Sequence, residues 1–167
     1  HADLKLGQHQ VPTGWQLIAS HYQIKATRLV KLEIIKNNSI SCPETLSIEL
    51  EYSGVLFDPD SDDTAGFIFS SASYYYPQVI AHSSLVTFAM QVSIPEPWQV
   101  VSQGQKIKTS EGKRIISWKS LRPSEEIYLI GNRFHISGAE HKGLPLYAYL
   151  LKKDDELADQ YLETAKG

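Results

Sequence analysis

Cysteine, methionine and long apolar runs are all scarce in this chain of 167 residues, which has one Cys and one Met. A single thiol, Cys42, cannot close an internal disulfide, so the fold must rest on its core. Cys42 stands before Pro43 in a turn-like Ser-Cys-Pro-Glu stretch and reads as a small incidental residue. No apolar run has the roughly 20 residues a membrane-spanning helix needs, so no membrane span is expected. A basic excess is missing as well. Sixteen Lys and Arg residues are scattered among 19 acids for a net charge of -3. That balance offers no footprint for a polyanion and argues against nucleic acid as a partner.

The usual constellations of catalysis are equally sparse. A zinc peptidase helix carries His-Glu-x-x-His, because residues four apart share a helix face and can share a metal. The nearest fragment is Glu140-His141 in a Gly-flanked stretch, with His135 six residues earlier and no second His at helical spacing. His1, His9, His21 and His82 are isolated. Asp58, Asp60 and Asp62 alternate as hard oxygen ligands for calcium would, but the sixth position is Asp63 where the loop needs Gly. The twelfth is Phe69 where an acid is required. A solvated turn is the expectation there. Gly104 and Gly112 lack phosphate-loop spacing, no Gly-x-Ser-x-Gly elbow is present, and Cys42 has no assignable base. Asn37-Asn38-Ser39 fits the glycosylation acceptor triplet, a pattern too common to carry weight. No metal site and no cofactor are expected within this chain.

What the chain does contain is alternation. Val86, Phe88, Met90, Val92 and Ile94 mark one face of a strand, and Leu46, Ile48, Leu50 and Tyr52 mark another against Thr45, Ser47, Glu49 and Glu51. Tyr22, Ile24 and Ala26 alternate before an apolar run over residues 29–35 and a turn at 36–39. Further strands are predicted at 67–69, 99–102, 106–109, 114–119, 127–134 and 146–151, with hairpin turns at 110–113 and 138–143. Many short strands about ten residues apart predict an all-β, antiparallel β-sandwich. Residues 1–14 lack a sustained period and read as an extended arm, docked through Trp15, Leu17 and Ile18. Asp154 or Asp155 can cap a short C-terminal helix, along which Leu157, Tyr161, Leu162 and Ala165 recur at helical spacing. The resulting domain plan is a β-sandwich over 1–153 and the start of a helix over 154–167.

Candidate binding residues are aromatic. Tyr74, Tyr75 and Tyr76 precede Pro77, and in an extended segment Tyr75 would face away from its neighbours. Strand packing with hydroxyls at the rim is one reading of them. A binding platform with Trp98 or Trp15 is the other.

The region 85–134 combines the Val86 to Ile94 alternation with an unusual run, Ile94-Pro-Glu-Pro-Trp-Gln-Val-Val-Ser-Gln-Gly104, then Trp118 and an apolar strand ending at Phe134. In order and spacing it resembles the second half of the N-terminal β-domain of M1-family (membrane alanyl aminopeptidase-like) zinc metallopeptidases. The stretch Leu-Ser-Ile-Glu-Leu-Glu-Tyr-Ser-Gly at 46–54 is similar to the strand that precedes that family's loop, and Tyr75-Tyr76-Pro77 to its aromatic-Pro step. The resemblance implies a saddle-like β-sandwich that packs on a catalytic domain of the same polypeptide. Zinc and the peptide substrate would belong to that domain and to the full-length protein. Tyr74, Tyr75, Tyr76, Pro77 and Trp98 become candidate substrate or interface residues, and residues 157–165 the first helix of the catalytic part. A parent of this kind could be membrane-associated or extracytoplasmic. The chain departs from the pattern at 66–78, where neither a Gln-x-Glu element nor the family's Phe-Pro-Cys-Phe-Asp-Glu-Pro segment appears. Those departures fit a divergent M1-like protein better than a standard aminopeptidase. A free-standing carbohydrate- or protein-binding β-sandwich is the alternative.

Overall fold

The computed structural model describes residues 5–24, 27–37, 45–54, 66–79, 85–107 and 115–167. The fold is all-β, antiparallel and sandwich-like in class, with a short C-terminal helix. The chain divides into two compact units, residues 1–61 and 62–167. The turns expected at 36–39 and 110–113, the acidic loop 58–63 and Cys42 lie wholly or mostly outside the described residues.

In the first unit β1 (Lys5–Gln10) pairs with β4 (Glu49–Ser53), and β2 (Trp15–Ile24) pairs with β3 (Thr27–Lys36). The β2–β3 ladder runs from Trp15↔Lys36 to Ile24↔Thr27 without a bulge. Leu29 is its buried anchor. Residues paired across a ladder share a face, which puts Trp15, Leu17 and Ala19 with Ile34 and Leu32 on one side, and Ile18 and Ile35 on the other. The stretch read from sequence as an arm thus contains a paired strand. Its ladder bonds come from backbone groups, which a polar sequence such as Lys-Leu-Gly-Gln-His-Gln supplies as well as an apolar one. Ile18 interrupts the alternation that starts at Trp15, which is why β2 begins earlier than the pattern at Tyr22 suggested.

The second unit holds two three-stranded sheets and a hairpin. β6 (Val86–Ser93), β9 (Ile115–Ser124) and β8 (Gln105–Ile107) form one sheet in the order β6–β9–β8. Along β6 the half-buried Val86, Phe88, Met90 and Val92 alternate with exposed residues, as the sequence predicts. Met90 lies opposite Trp118, the buried aromatic of β9. β5 (Phe67–Phe69), β10 (Leu129–Asn132) and β7 (Gln99–Val101) form the other sheet, ordered β5–β10–β7. Val100, almost fully enclosed, sits across from Gly131, which in turn faces Phe67.

β11 (His135–His141) and β12 (Leu144–Leu150) form the hairpin, so the apolar stretch predicted as one strand over 127–134 is divided between β10 and the approach to β11. The turn is confined to Lys142 and Gly143, at φ 51° and 77°. Two successive left-handed residues give a two-residue turn whose twist matches its strands. Gly138, expected at the turn, is instead mid-strand opposite Tyr147. Helix α1 (Asp155–Lys166) follows. Asp154 caps it by accepting the Leu157 amide at 2.9 Å, and Asp155 and Glu156 suit the positive end of the helix dipole. Its Ala158 and Leu162 are buried with Ala148 of β12, inside a ring of Ala139, Leu146 and Leu150. Alanine on both elements lets helix and hairpin approach closely.

Candidate functional site

The aromatic candidates converge on one face of the β5–β10–β7 sheet, where each ring is held by another. Phe67 and Phe69, two apart on β5, point to the same side and stack with centroids 4.5 Å apart. Trp98, just before β7, lies near-parallel to Phe67 at 6.1 Å, and the Arg133 guanidinium sits 5.7 Å from the Trp98 ring centre. At the other end Phe69 meets Tyr75 at 5.6 Å, and Tyr75 meets Tyr76 edge to face at 4.9 Å. Gly131 makes the row possible. A Cβ there would enter the space of the Phe67 ring.

The tyrosines enter this row through a turn. Ser70 accepts the Ala72 amide and Ser73 accepts the Ser70 amide, a reciprocal cap on the 3₁₀ turn Ser71–Ser73. Tyr74 follows in the left-handed region at φ 51°, its amide bonded to Ser71 O. Because the chain reverses there, Tyr75 and Tyr76 both reach the same strand approach instead of facing apart as an extended segment would require. Tyr74 is 46% exposed and Pro77 is exposed beside it.

What they reach is residues 126–128, between β9 and β10. Tyr75 donates its hydroxyl to Ile127 O at 3.0 Å, and Tyr76 Oη accepts the Ile127 amide at 3.2 Å. From the opposite direction Gln103 donates to Glu126 O at 2.5 Å and accepts the Tyr128 amide at 2.9 Å, while Ser102 donates to Tyr128 O at 2.6 Å. Gln103 therefore behaves as one rung of a missing neighbouring strand. Irregular backbone is satisfied by side chains where no ladder is present.

Glu126 ties the two halves together. Its carboxylate accepts the Ser71 hydroxyl at 2.6 Å and the Ser71 amide at 3.0 Å, and the Tyr128 hydroxyl donates to its other oxygen. The Ser71 hydroxyl, then Tyr128 and the Ser71 amide, hold the Glu126 carboxyl below the usual glutamate range. The bond to Glu126 in turn raises the Tyr128 hydroxyl above its ordinary value. A carboxylate so stabilised is a weak base, so Ser71 is positioned as a donor and not activated as a nucleophile.

The structure thus brings Tyr75, Tyr76 and Trp98 into one row, leaves Tyr74 and Pro77 at its rim, and places Trp15 in the other compact unit. Sequence reasoning missed Phe67, Phe69, Gln103, Glu126, Tyr128 and Arg133. Of these only Phe67-x-Phe69 carried a local signal, the period of two. Among the described residues no group of three or more His, Cys, Asp or Glu could hold a metal ion, and no helix is long and apolar enough to cross a membrane. His135 and His141 stand six residues apart on β11.

Comparison with protein-family models, with curated proteins and with solved structures finds no match to this chain.

Proposed function

We propose that this chain is the non-catalytic N-terminal β-domain of a larger M1-like zinc metallopeptidase, packing on the catalytic domain of the same polypeptide and helping to shape its substrate cleft. Zinc binding and peptide hydrolysis belong, on this reading, to that other domain. The observation that carries it is the flank of α1. Ala158 and Leu162 are buried against the hairpin, whereas Leu157 and Tyr161 on the neighbouring flank are 37% and 57% exposed. An amphipathic helix whose apolar stripe is only half covered fits a helix that has a further surface to meet.

The internal use of the aromatic row favours the same reading over a free-standing binding module. Rings stacked on each other, with Arg133 over Trp98, leave few ring faces for a sugar. Tyr75 and Tyr76 also spend their hydroxyls on Ile127. The test is the reading frame that follows Gly167. A helix bearing His-Glu-x-x-His with a glutamate about twenty residues further on is the expected outcome, by the chemistry of such zinc sites. A stop codon there would overturn the proposal.

A further inference from the structure

Residues 70–78 make hydrogen bonds of two kinds. Some stay inside the segment. The Ser73 amide donates to Ser70 O at 3.0 Å and the Ser70 amide to Ser73 Oγ at 3.2 Å. Ser71 O accepts both the Tyr74 amide at 3.1 Å and the Gln78 side-chain amide at 2.5 Å. Others leave the segment and reach two consecutive residues. Ser71 donates its amide and its hydroxyl to the Glu126 carboxylate, while Tyr75 and Tyr76 meet the carbonyl and the amide of Ile127. The turn is thus held together from within, and these four bonds fasten it to residues 126 and 127.

We propose that residues 70–78 form a strap whose catch is the Glu126 carboxylate: charged, it holds the strap and its rim residues Tyr74 and Pro77 in place, and neutralised, it lets the strap lift as a unit while the strands stay paired. This inference does not depend on the proposed function. The catch is anchored from its own side, because Gln103 and Ser124 donate to Glu126 O, and Gln103 and Ser102 hold the Tyr128 amide and carbonyl. Residues 126–128 therefore keep their place when the strap leaves. None of residues 70–78 is fully buried, so lifting them uncovers little apolar surface beyond the contact of Tyr75 with Phe69. Two of the four fastening bonds end on the carboxylate, and hydrogen bonds to a charged acceptor are about twice as strong as neutral ones. Glu126 is accordingly the group whose charge decides the equilibrium.

The surroundings of that charge make it responsive. Residues 70–78 include no Asp, Glu, Lys, Arg or His, so the strap answers the carboxylate with hydrogen-bond donors and no cation. The titratable groups around Glu126 are Tyr128, whose hydroxyl is raised first by its bond to Glu126, and, with smaller effects on Tyr128, Glu125 and Tyr76. Gln103 and Ser124, its other neighbours, carry no charge. The Ser71 hydroxyl, before Tyr128 and the Ser71 amide, holds the Glu126 carboxyl below the usual glutamate range. The strap is therefore fastened at neutral pH and freed as the pH falls through that lowered value. Protonation weakens the acceptor and adds a proton that faces donors already in place.

The experiment is amide hydrogen exchange on the chain, expressed as protection relative to the intrinsic rate at each pH, for residues 70–78 against residues 86–93 and 115–122. At neutral pH Glu126→Gln is expected to lower protection of 70–78 at least about tenfold and to leave the two strand regions unchanged, the mark of a local opening. Wild type taken below the lowered carboxyl value should show the same selective loss, and Glu126→Gln should show no further selective loss there. Ser71→Ala, which removes one of the two bonds to the carboxylate, should give a smaller drop in the same segment. Unchanged protection of 70–78 in Glu126→Gln would overturn the proposal. So would an equal loss in all three regions, because Glu126 would then act on the fold as a whole and not on a strap.

Discussion

Two parts of the second unit solve the same physical problem in opposite ways. Around residues 126–128 the backbone leaves the ladder, and Gln103, Ser102, Tyr75 and Tyr76 supply its hydrogen bonds from side chains. Along β12 the backbone stays regular, yet its outer edge and the adjoining flank of α1 lack a neighbour among the described residues. The first is closed by residues distant in sequence, and the second has no such closure among the described residues. Closure of that kind marks a structural joint. Among the described residues the other region keeps a regular edge beside a groove lined by Leu146, Tyr161, Leu162 and Ala165.

The contrast can be broken most strongly at Leu162. Leu162→Ala removes the side chain that fixes α1 to the hairpin and should cost about 2–5 kcal/mol in urea unfolding, as buried Leu truncations do. Next is Gly131→Ala. The added methyl would meet the Phe67 ring, which is stacked between Phe69 and Trp98 and has little room to yield, so a loss of about 1–3 kcal/mol is expected. Gly138→Ala is the control, since its Cβ would meet Tyr147 at an ordinary 3.4 Å. Gln103→Ala deprives the Tyr128 amide and the Glu126 carbonyl of their partner and should cost about 1 kcal/mol, read by the same unfolding curve.

Glu126 gives the comparison a pH dependence. Its carboxyl is held below the ordinary glutamate range in the folded chain, chiefly by the Ser71 hydroxyl. The stability it contributes is therefore present at neutral pH and is lost as the pH falls through that lowered value. Urea midpoints measured downward from neutral should decline more steeply for the wild type than for Glu126→Gln, and parallel curves would remove Glu126 from the joint. The smallest effect is expected on the open flank. Leu157→Ala and Tyr161→Ala should each change the stability of the 1–167 chain by less than about 0.5 kcal/mol, as exposed substitutions do. A large loss in either would show that the flank is already covered.

The sequence made these two regions legible to different degrees. β6 could be read because one of its faces is apolar and the other polar, and α1 because Asp154 caps it and its apolar residues recur every three or four positions. β1 was hidden, since its pairing with β4 rests on main-chain bonds with no alternation to announce it. The turn at Lys142 and Gly143 falls inside the expected span 138–143, which was too wide at its start because lysine seldom takes positive φ and Gly138 is as permissive a turn residue as Gly143. Among the aromatics, the identities of Tyr75, Tyr76 and Trp98 were readable, but their grouping was not. It depends on Tyr74 turning the chain after the Ser70–Ser73 cap and on an absent Cβ at Gly131, and on contacts spanning more than fifty residues. Local periodicity contains none of that.

Both regions bear on the proposed reading, in which this chain serves as framework and the hydrolytic centre belongs to another domain of the same polypeptide. The direct measurement is release of amino acids from peptide substrates by the purified 1–167 chain, with zinc added and then with a chelator. The account predicts no release above background in either condition. Zinc-dependent release abolished by the chelator would contradict it.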